Sequence, residues 1–169
     1  AQFSQRDATG LTSVQTITLE ESLVVNQQTG LIHGQGGGRL ESVHLSKGNH
    51  FANQTPQNHN RGQQLQFLQV DFVRGIEGNL NRRHVAVLGD VEAVYGPVDS
   101  WDEKLEKSVR GMPELGTTWI SCQKLGVAEN PLARLQQRSG IGPLEFLAEG
   151  DVIVEGRVGE RGSFTATSE

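Results

Sequence analysis

Leu144-Glu145-Phe146-Leu147-Ala148-Glu149-Gly150-Asp151-Val152-Ile153-Val154-Glu155-Gly156 alternates with period two. One face carries Leu144, Phe146, Ala148, Gly150, Val152 and Val154, and the other carries Glu145, Leu147, Glu149, Asp151, Ile153 and Glu155. Side chains in an extended chain point alternately to opposite faces, so this is a half-buried strand with a bend expected at Gly150. Val85-Ala86-Val87-Leu88-Gly89-Asp90-Val91-Glu92-Ala93-Val94-Tyr95 repeats the theme, and the two Gly-Asp-Val triplets lie 61 residues apart. Downstream of each comes a glycine and a Thr/Ser-rich strand, at residues 116–122 and 162–167. A strand-turn-strand unit present twice is stronger support than either copy alone.

Outward from these copies, residues 13–19 alternate as a strand. Leu23-Val24-Val25 and Leu31-Ile32-His33-Gly34 flank the turn-forming Asn26-Gln27-Gln28-Thr29-Gly30, a hairpin pattern. Residues 40–45 and 65–73 complete the strands. The Asn/Gln/His-rich segment 48–64 between them reads as an exposed loop. Ser100-Trp101-Asp102-Glu103 fits a capping box, with Trp101, Leu105 and Val109 on one stripe, which predicts one short inserted helix near residues 101–110. A second, weaker helix pattern spans 131–140. Glycine is 21 of 169 residues, about 12% against a usual ~7%, which suits short strands and tight turns. The expected fold class is all-β. The expected organisation is a single β domain over 1–169 with two imperfect repeat halves, about 1–98 and 116–169, joined by the helical linker. The chain starts at Ala1 without a basic-then-apolar leader and stops inside a strand pattern at Ser168-Glu169, so it is expected to be a piece of a longer protein.

Charge and motifs exclude several classes. With Lys plus Arg 15 and Asp plus Glu 20, the net charge of −5 argues against nucleic acid as the main partner. One cysteine, Cys122, permits no internal disulfide and no multi-cysteine zinc site, and its alternation with Thr118 and Ile120 suits a small strand residue. His33-Gly34-Gln35-Gly36-Gly37-Gly38-Arg39 lacks the third glycine of a dinucleotide fingerprint and the Gly-Lys-Ser/Thr of a P-loop, leaving a flexible turn. The five histidines lack metal-ligand spacing, and His44, His50 and His59 read as solvated loop residues. Asn53-Gln54-Thr55 matches the glycosylation acceptor, a motif that arises often by chance. Arg82-Arg83-His84 could hold a phosphate or sulfate, though strand-edge charge that blocks edge-to-edge pairing is the blander and favoured reading. Glu149, Asp151 and Glu155 share a strand face and suggest glycosidase carboxylates, but solvent-facing acids are commoner. No catalytic residue, cofactor or metal is assigned, and the chain is expected not to be an enzyme.

The unit running Leu147-Ala148-Glu149-Gly150-Asp151-Val152-Ile153-Val154-Glu155-Gly156 and then Gly162-Ser163-Phe164-Thr165-Ala166-Thr167 resembles the repeat of the lipopolysaccharide-transport periplasmic bridge family, organic solvent tolerance A-like. Leu23 to Gly34 resembles the companion half, and Leu88-Gly89-Asp90-Val91 matches too, whereas Gly96-Pro97, the Ser100 segment and the polar loop depart from the repeat. The resemblance implies an open β-jellyroll-like, V-shaped sandwich of repeated strand pairs that holds lipid acyl chains between its sheets. It also implies a periplasmic or cell-envelope location, edge-to-edge stacking with like modules, and lipopolysaccharide or another amphiphilic lipid as partner. The lipid-facing candidates are then Val91, Phe146, Val152, Val154 and Phe164, each an equally good core residue. The alternatives are a purely structural β module of a large envelope protein and a carbohydrate-active β-solenoid enzyme.

Overall fold

The computed structural model describes residues 2–7, 10–46, 64–105, 115–129, 144–158 and 162–168. Twelve strands form one antiparallel sheet: β1 (Gln2–Asp7), β2 (Gly10–Leu19), β3 (Ser22–Val25), β4 (Leu31–Gln35), β5 (Gly38–Ser46), β6 (Gln64–Phe72), β7 (Gly75–Asn79), β8 (His84–Val98), β9 (Thr118–Glu129), β10 (Leu144–Glu149), β11 (Val152–Val158) and β12 (Gly162–Ser168). The order is β1-β2-β5-β6-β8-β7-β4-β3, with β9 joining β8 to both β10 and β11, and β12 beyond β11.

The branching has a simple origin. The first residues of β8 pair with β7 and with the end of β9, while its later residues pair with β6 and with the start of β9. Between these two sets the register shifts at Leu88/Val91, where Gly89 (φ 81°) and Asp90 (φ 41°) are both left-handed. Gly150 (φ 74°) and Asp151 (φ 47°) make the same step between β10 and β11. Glycine enters that region freely and aspartate tolerates it, so the repeated Gly-Asp pair is a chemical instruction to bend. Neighbouring strands turn at the same level, and the crease is hydrogen-bonded along its length: Glu20 N to Gly37 O at 2.9 Å, Gly36 N to Arg74 O at 3.1 Å, Val73 N to Gly89 O at 2.8 Å, and Gln123 N to Gly150 O at 2.9 Å.

The crease divides the sheet into a long arm (β1, β2, β5, β6, late β8, early β9, β11, β12) and a short arm (β3, β4, β7, early β8, late β9, β10). The arms pack on each other through their inner faces. Leu68, Val70, Val91 and Tyr95 of the long arm form one core with Ile76, Val87 and Leu125 of the short arm. The Tyr95 and Phe146 rings meet across the gap at 5.8 Å. Burying each large aliphatic side chain contributes roughly 1.5–3 kcal/mol, which is what holds the arms together.

A second cluster lies on the outer face of the long arm, where Val43, Phe67, Val94 and Val98 are covered by Leu105 with Trp101 beside it. Among the described residues the helix expected near 101–110 is not seen: residues 101–102 form a turn and 103–105 are irregular, while 106–110 lie outside the described set. The capping chemistry acts one residue early. The Glu103 carboxylate accepts from Asp99 N at 2.6 Å, and Glu103 N donates to Ser100 O at 3.4 Å, which closes a single turn. Leu105 is thus buried and Trp101 half-buried by a turn that laps over the sheet, so an apolar i, i+4 pair did not require a helix. The weaker helix expected at 131–140, the polar segment to residue 63 and the glycosylation triplet at 53–55 also fall outside the described residues.

Candidate functional site

Registered strands line up inner-face residues in rows, and the rows define what the interior can do. Next to the crease run Phe72, Val91, Cys122 and Val152. The following row is Leu40, Val70, Ala93, Ile120 and Val154, and the next holds Ser42, Leu68, Tyr95 and Thr118. The last is Ser13, His44 and Gln66, all buried. The interior therefore runs from aliphatic at the crease to polar at the far end of the long arm. The side-chain nitrogen Nε2 of Gln66 is buried with no hydrogen-bond partner, a deficit that costs about 1–3 kcal/mol. His44 is a strand residue of β5 at 6% exposure, which corrects its reading as a solvated loop histidine. The signal was available: His44 alternates in phase with Ser42 and Leu40.

The lipid-facing candidates separate by depth. Val91 is 0% exposed and sits at the centre of the side-chain core. Phe146 on β10, the last strand of the short arm, and Val152 and Val154 on β11, the last but one of the long arm, are half-buried. Phe164 lies on β12 opposite Gly156, its side chain outside the described set. Ala166, on the same strand, is exposed. Apolar inner surface is thus half-open toward β10–β12, as it also is at Leu19, Leu23 and Leu40 toward the other end of the sheet, and is fully packed at the centre.

The acidic row does not converge. Glu149 pairs with Lys124 at 3.4 Å on the short arm, Asp151 occupies the crease, and Glu155 lies on the long arm opposite Trp119. A carboxylate pair needs a shared site about 5–9.5 Å across for glycoside hydrolysis, and the bend separates these three by direction. Glu155 instead borders a shallow outer hollow of about 30 Å³ with Glu92, Trp119, Ile120, Ser121 and Ile153, room for a water or two. Sequence reading missed that grouping because Glu92, Trp119 and Glu155 come from three strands whose register no local pattern reveals.

Cys122 is buried, its Sγ donating to Lys124 O at 3.2 Å, and burial pushes its thiol above the ordinary range. A nucleophile needs the opposite shift. Among the described residues no group of three His, Cys, Asp or Glu side chains is placed to hold a metal. Arg82-Arg83-His84 lies where β7 turns into β8, strands flanked by β4 and β9. It is therefore no guard of a free sheet edge, and that reading is corrected.

No family model, curated protein or solved structure matches the chain.

Proposed function

We propose that this chain is a non-enzymatic β module of the cell envelope, similar in plan to the lipopolysaccharide-transport repeats: an open, V-shaped jellyroll-like sandwich that serves as a scaffold and contacts lipid acyl chains at its C-terminal end. The observation that carries the reading is the change in burial along the inner rows. Val70, Ile76, Val91 and Leu125 are at most 1% exposed, whereas Phe146, Val152 and Val154 at the β10–β11 end are only half-buried. A packed centre favours the structural role there, and the half-open end leaves apolar surface for an alkyl chain at about 0.8 kcal/mol per buried methylene. In the periplasm such a module would stack with like modules through strand edges. Among the described residues the outer sides of β1, β3, β10 and β12 pair with no further strand, which supports that role.

The test is titration of delipidated protein with lipopolysaccharide and with a long-chain fatty acid. Binding is expected, and Val154→Glu should abolish it while leaving the circular dichroism unchanged, because Val154 lies outside the fully buried core. Failure of the intact fold to bind either ligand would remove the lipid role and leave the scaffold alone. The carbohydrate-active reading gains an indole beside Glu155 but loses its carboxylate pair, and stands behind both.

A further inference from the structure

The hollow on the outer face of the long arm combines an apolar wall with two carboxylates. Ser121 on β9 is flanked in register by Glu92 on β8 and Ile153 on β11. Two residues farther from the crease, Trp119 stands between Val94 and Glu155. A serine among larger neighbours leaves a gap, and these residues with Ile120 line a space of about 30 Å³. Ile153 is 44% exposed and Trp119 half-buried, so the apolar wall meets solvent.

Both carboxylates lack a cation. Among the described residues the Glu92 and Glu155 side chains enter no ion pair or hydrogen bond. The cations of the surrounding surface are placed otherwise: Arg39 binds Asp71, Arg74 binds Gln123 and Lys104 binds Glu41. Arg157 stands two residues beyond Glu155 on β11, beside Thr117 and outside the lining of the hollow. Glu92 lies directly opposite Asp71 on β6, a like-charge arrangement that costs stability unless a cation joins it. Asp71 has the Arg39 guanidinium and the Gln69 side-chain amide as donors, and Glu92 has neither. The net charge of −5 adds a general attraction for cations.

We infer that this hollow binds a primary alkylammonium group, with Glu92 and Glu155 supplying the negative charge, Trp119 and Ile153 receiving the alkyl stem, and Ser121 forming the floor. Size selects the head group. A primary ammonium is a compact charge with three donors, close to a water molecule in bulk, and the space holds a water or two. A trimethylated ammonium or a planar guanidinium is larger than that. Long alkylammonium chains lay their methylenes along apolar surface and keep the charge near water, and an indole attracts the cation as well. A lysine of a partner polypeptide and a free alkylamine both present this group. The site is on the outer face, so the inference does not depend on the lipid contact proposed for the inner face.

Fluorescence titration tests it in a Trp101→Phe background, which leaves Trp119 as the sole indole of a chain with two tryptophans. The probe is n-butylammonium, with butan-1-ol as its neutral counterpart and tetramethylammonium as its bulky one. Butylammonium is expected to change the Trp119 emission saturably and to bind more weakly as salt rises, while the other two give little response. Losing one carboxylate partner at an accessible site lowers affinity about two- to fivefold, the expected effect of Glu92→Gln and of Glu155→Gln. Glu77→Gln, an exposed acid on the short arm, should leave the titration unchanged. Nα-acetyl-lysine amide separates the two sources: tighter binding than butylammonium assigns the site to a polypeptide lysine, and weaker binding assigns it to a free amine. Circular dichroism checks each fold, and Glu92→Gln, at an exposed position, decides alone if Glu155→Gln does not fold. No saturable response, an equal response to butan-1-ol, tetramethylammonium binding as tight as butylammonium, or unchanged affinity in Glu92→Gln would each overturn the inference.

Discussion

Gly89→Ala measures the crease directly. Gly89 has φ 81°, and an added Cβ would lie 2.5 Å from Arg74 Cγ and 2.8 Å from Arg74 Nε. A left-handed alanine costs about 1–2 kcal/mol. The Arg74 side chain must also swing away, which breaks the Arg74 Nη2 to Gln123 Oε1 bond of 3.3 Å; being exposed, that bond is worth at most about 1 kcal/mol. Alanine returns about 0.4–1 kcal/mol by restricting the unfolded chain. The net is a destabilisation of roughly 1–2 kcal/mol. Urea unfolding followed by tryptophan fluorescence should show the midpoint fall with the slope unchanged. In an Arg74→Ala background the steric part disappears and the penalty should shrink to about 1 kcal/mol or less. Gly150→Ala should cost more than Gly89→Ala. There the new Cβ meets Gln123 Cβ at 2.9 Å, an atom fixed to a strand, not the middle of a flexible chain. A neutral Gly89→Ala would refute the left-handed step as the source of the bend, and the reverse order of the two glycines would refute the steric account.

Two further outcomes follow from the buried titratable groups. Burial pushes the Tyr95 hydroxyl up to about 12 from its ordinary 10. The fold therefore keeps the proton that the unfolded chain releases, so this contribution is complete below about pH 10 and is lost as pH rises toward about 12, a span of roughly 2–3 kcal/mol. Urea midpoints near pH 9 and near pH 11 should fall more for the native protein than for Tyr95→Phe; equal falls would show that Tyr95 is not the group responsible. Cys122, with its thiol raised by burial, should resist iodoacetamide in the fold and react in urea. Rapid alkylation of folded protein would contradict its place in the core.

Much of the fold was legible because period two survives the bend. Ala148 and Val152 flank a two-residue step, as do Val87 and Val91, so the apolar phase continues from one arm to the next and reads in sequence as one long strand. A one-residue step would have turned every later side chain to the other face. β7 was invisible for the opposite reason: in Gly75-Ile76-Glu77-Gly78-Asn79 only Ile76 is apolar. Its Gly78 is required by approach, since a Cβ there would sit 2.4 Å from His84 O. The misread helix has a physical lesson too. Ser100 and Glu103 do close a turn, but Leu105 finds its burial against Val43, Phe67, Val94 and Val98, contacts far off in sequence that a local pattern cannot register.

The candidate sites were legible in proportion to how local they are. Arg82 and Arg83 stood out as neighbours, yet the turn they occupy is tied by the Leu80–Gly30 hydrogen bond to a turn some fifty positions earlier. The interior is harder still, because Val91 and Val154 have the same sequence signature and opposite fates. Val91 lies where both arms are covered by further strands, and Val154 lies where the short arm ends at β10 while the long arm continues to β12. Exposure of an inner-face residue is thus set by how many strands each arm possesses, a count that belongs to topology and not to composition. Lengthening the short arm by one strand would cover Phe146 and Val154 and leave that end a plain core.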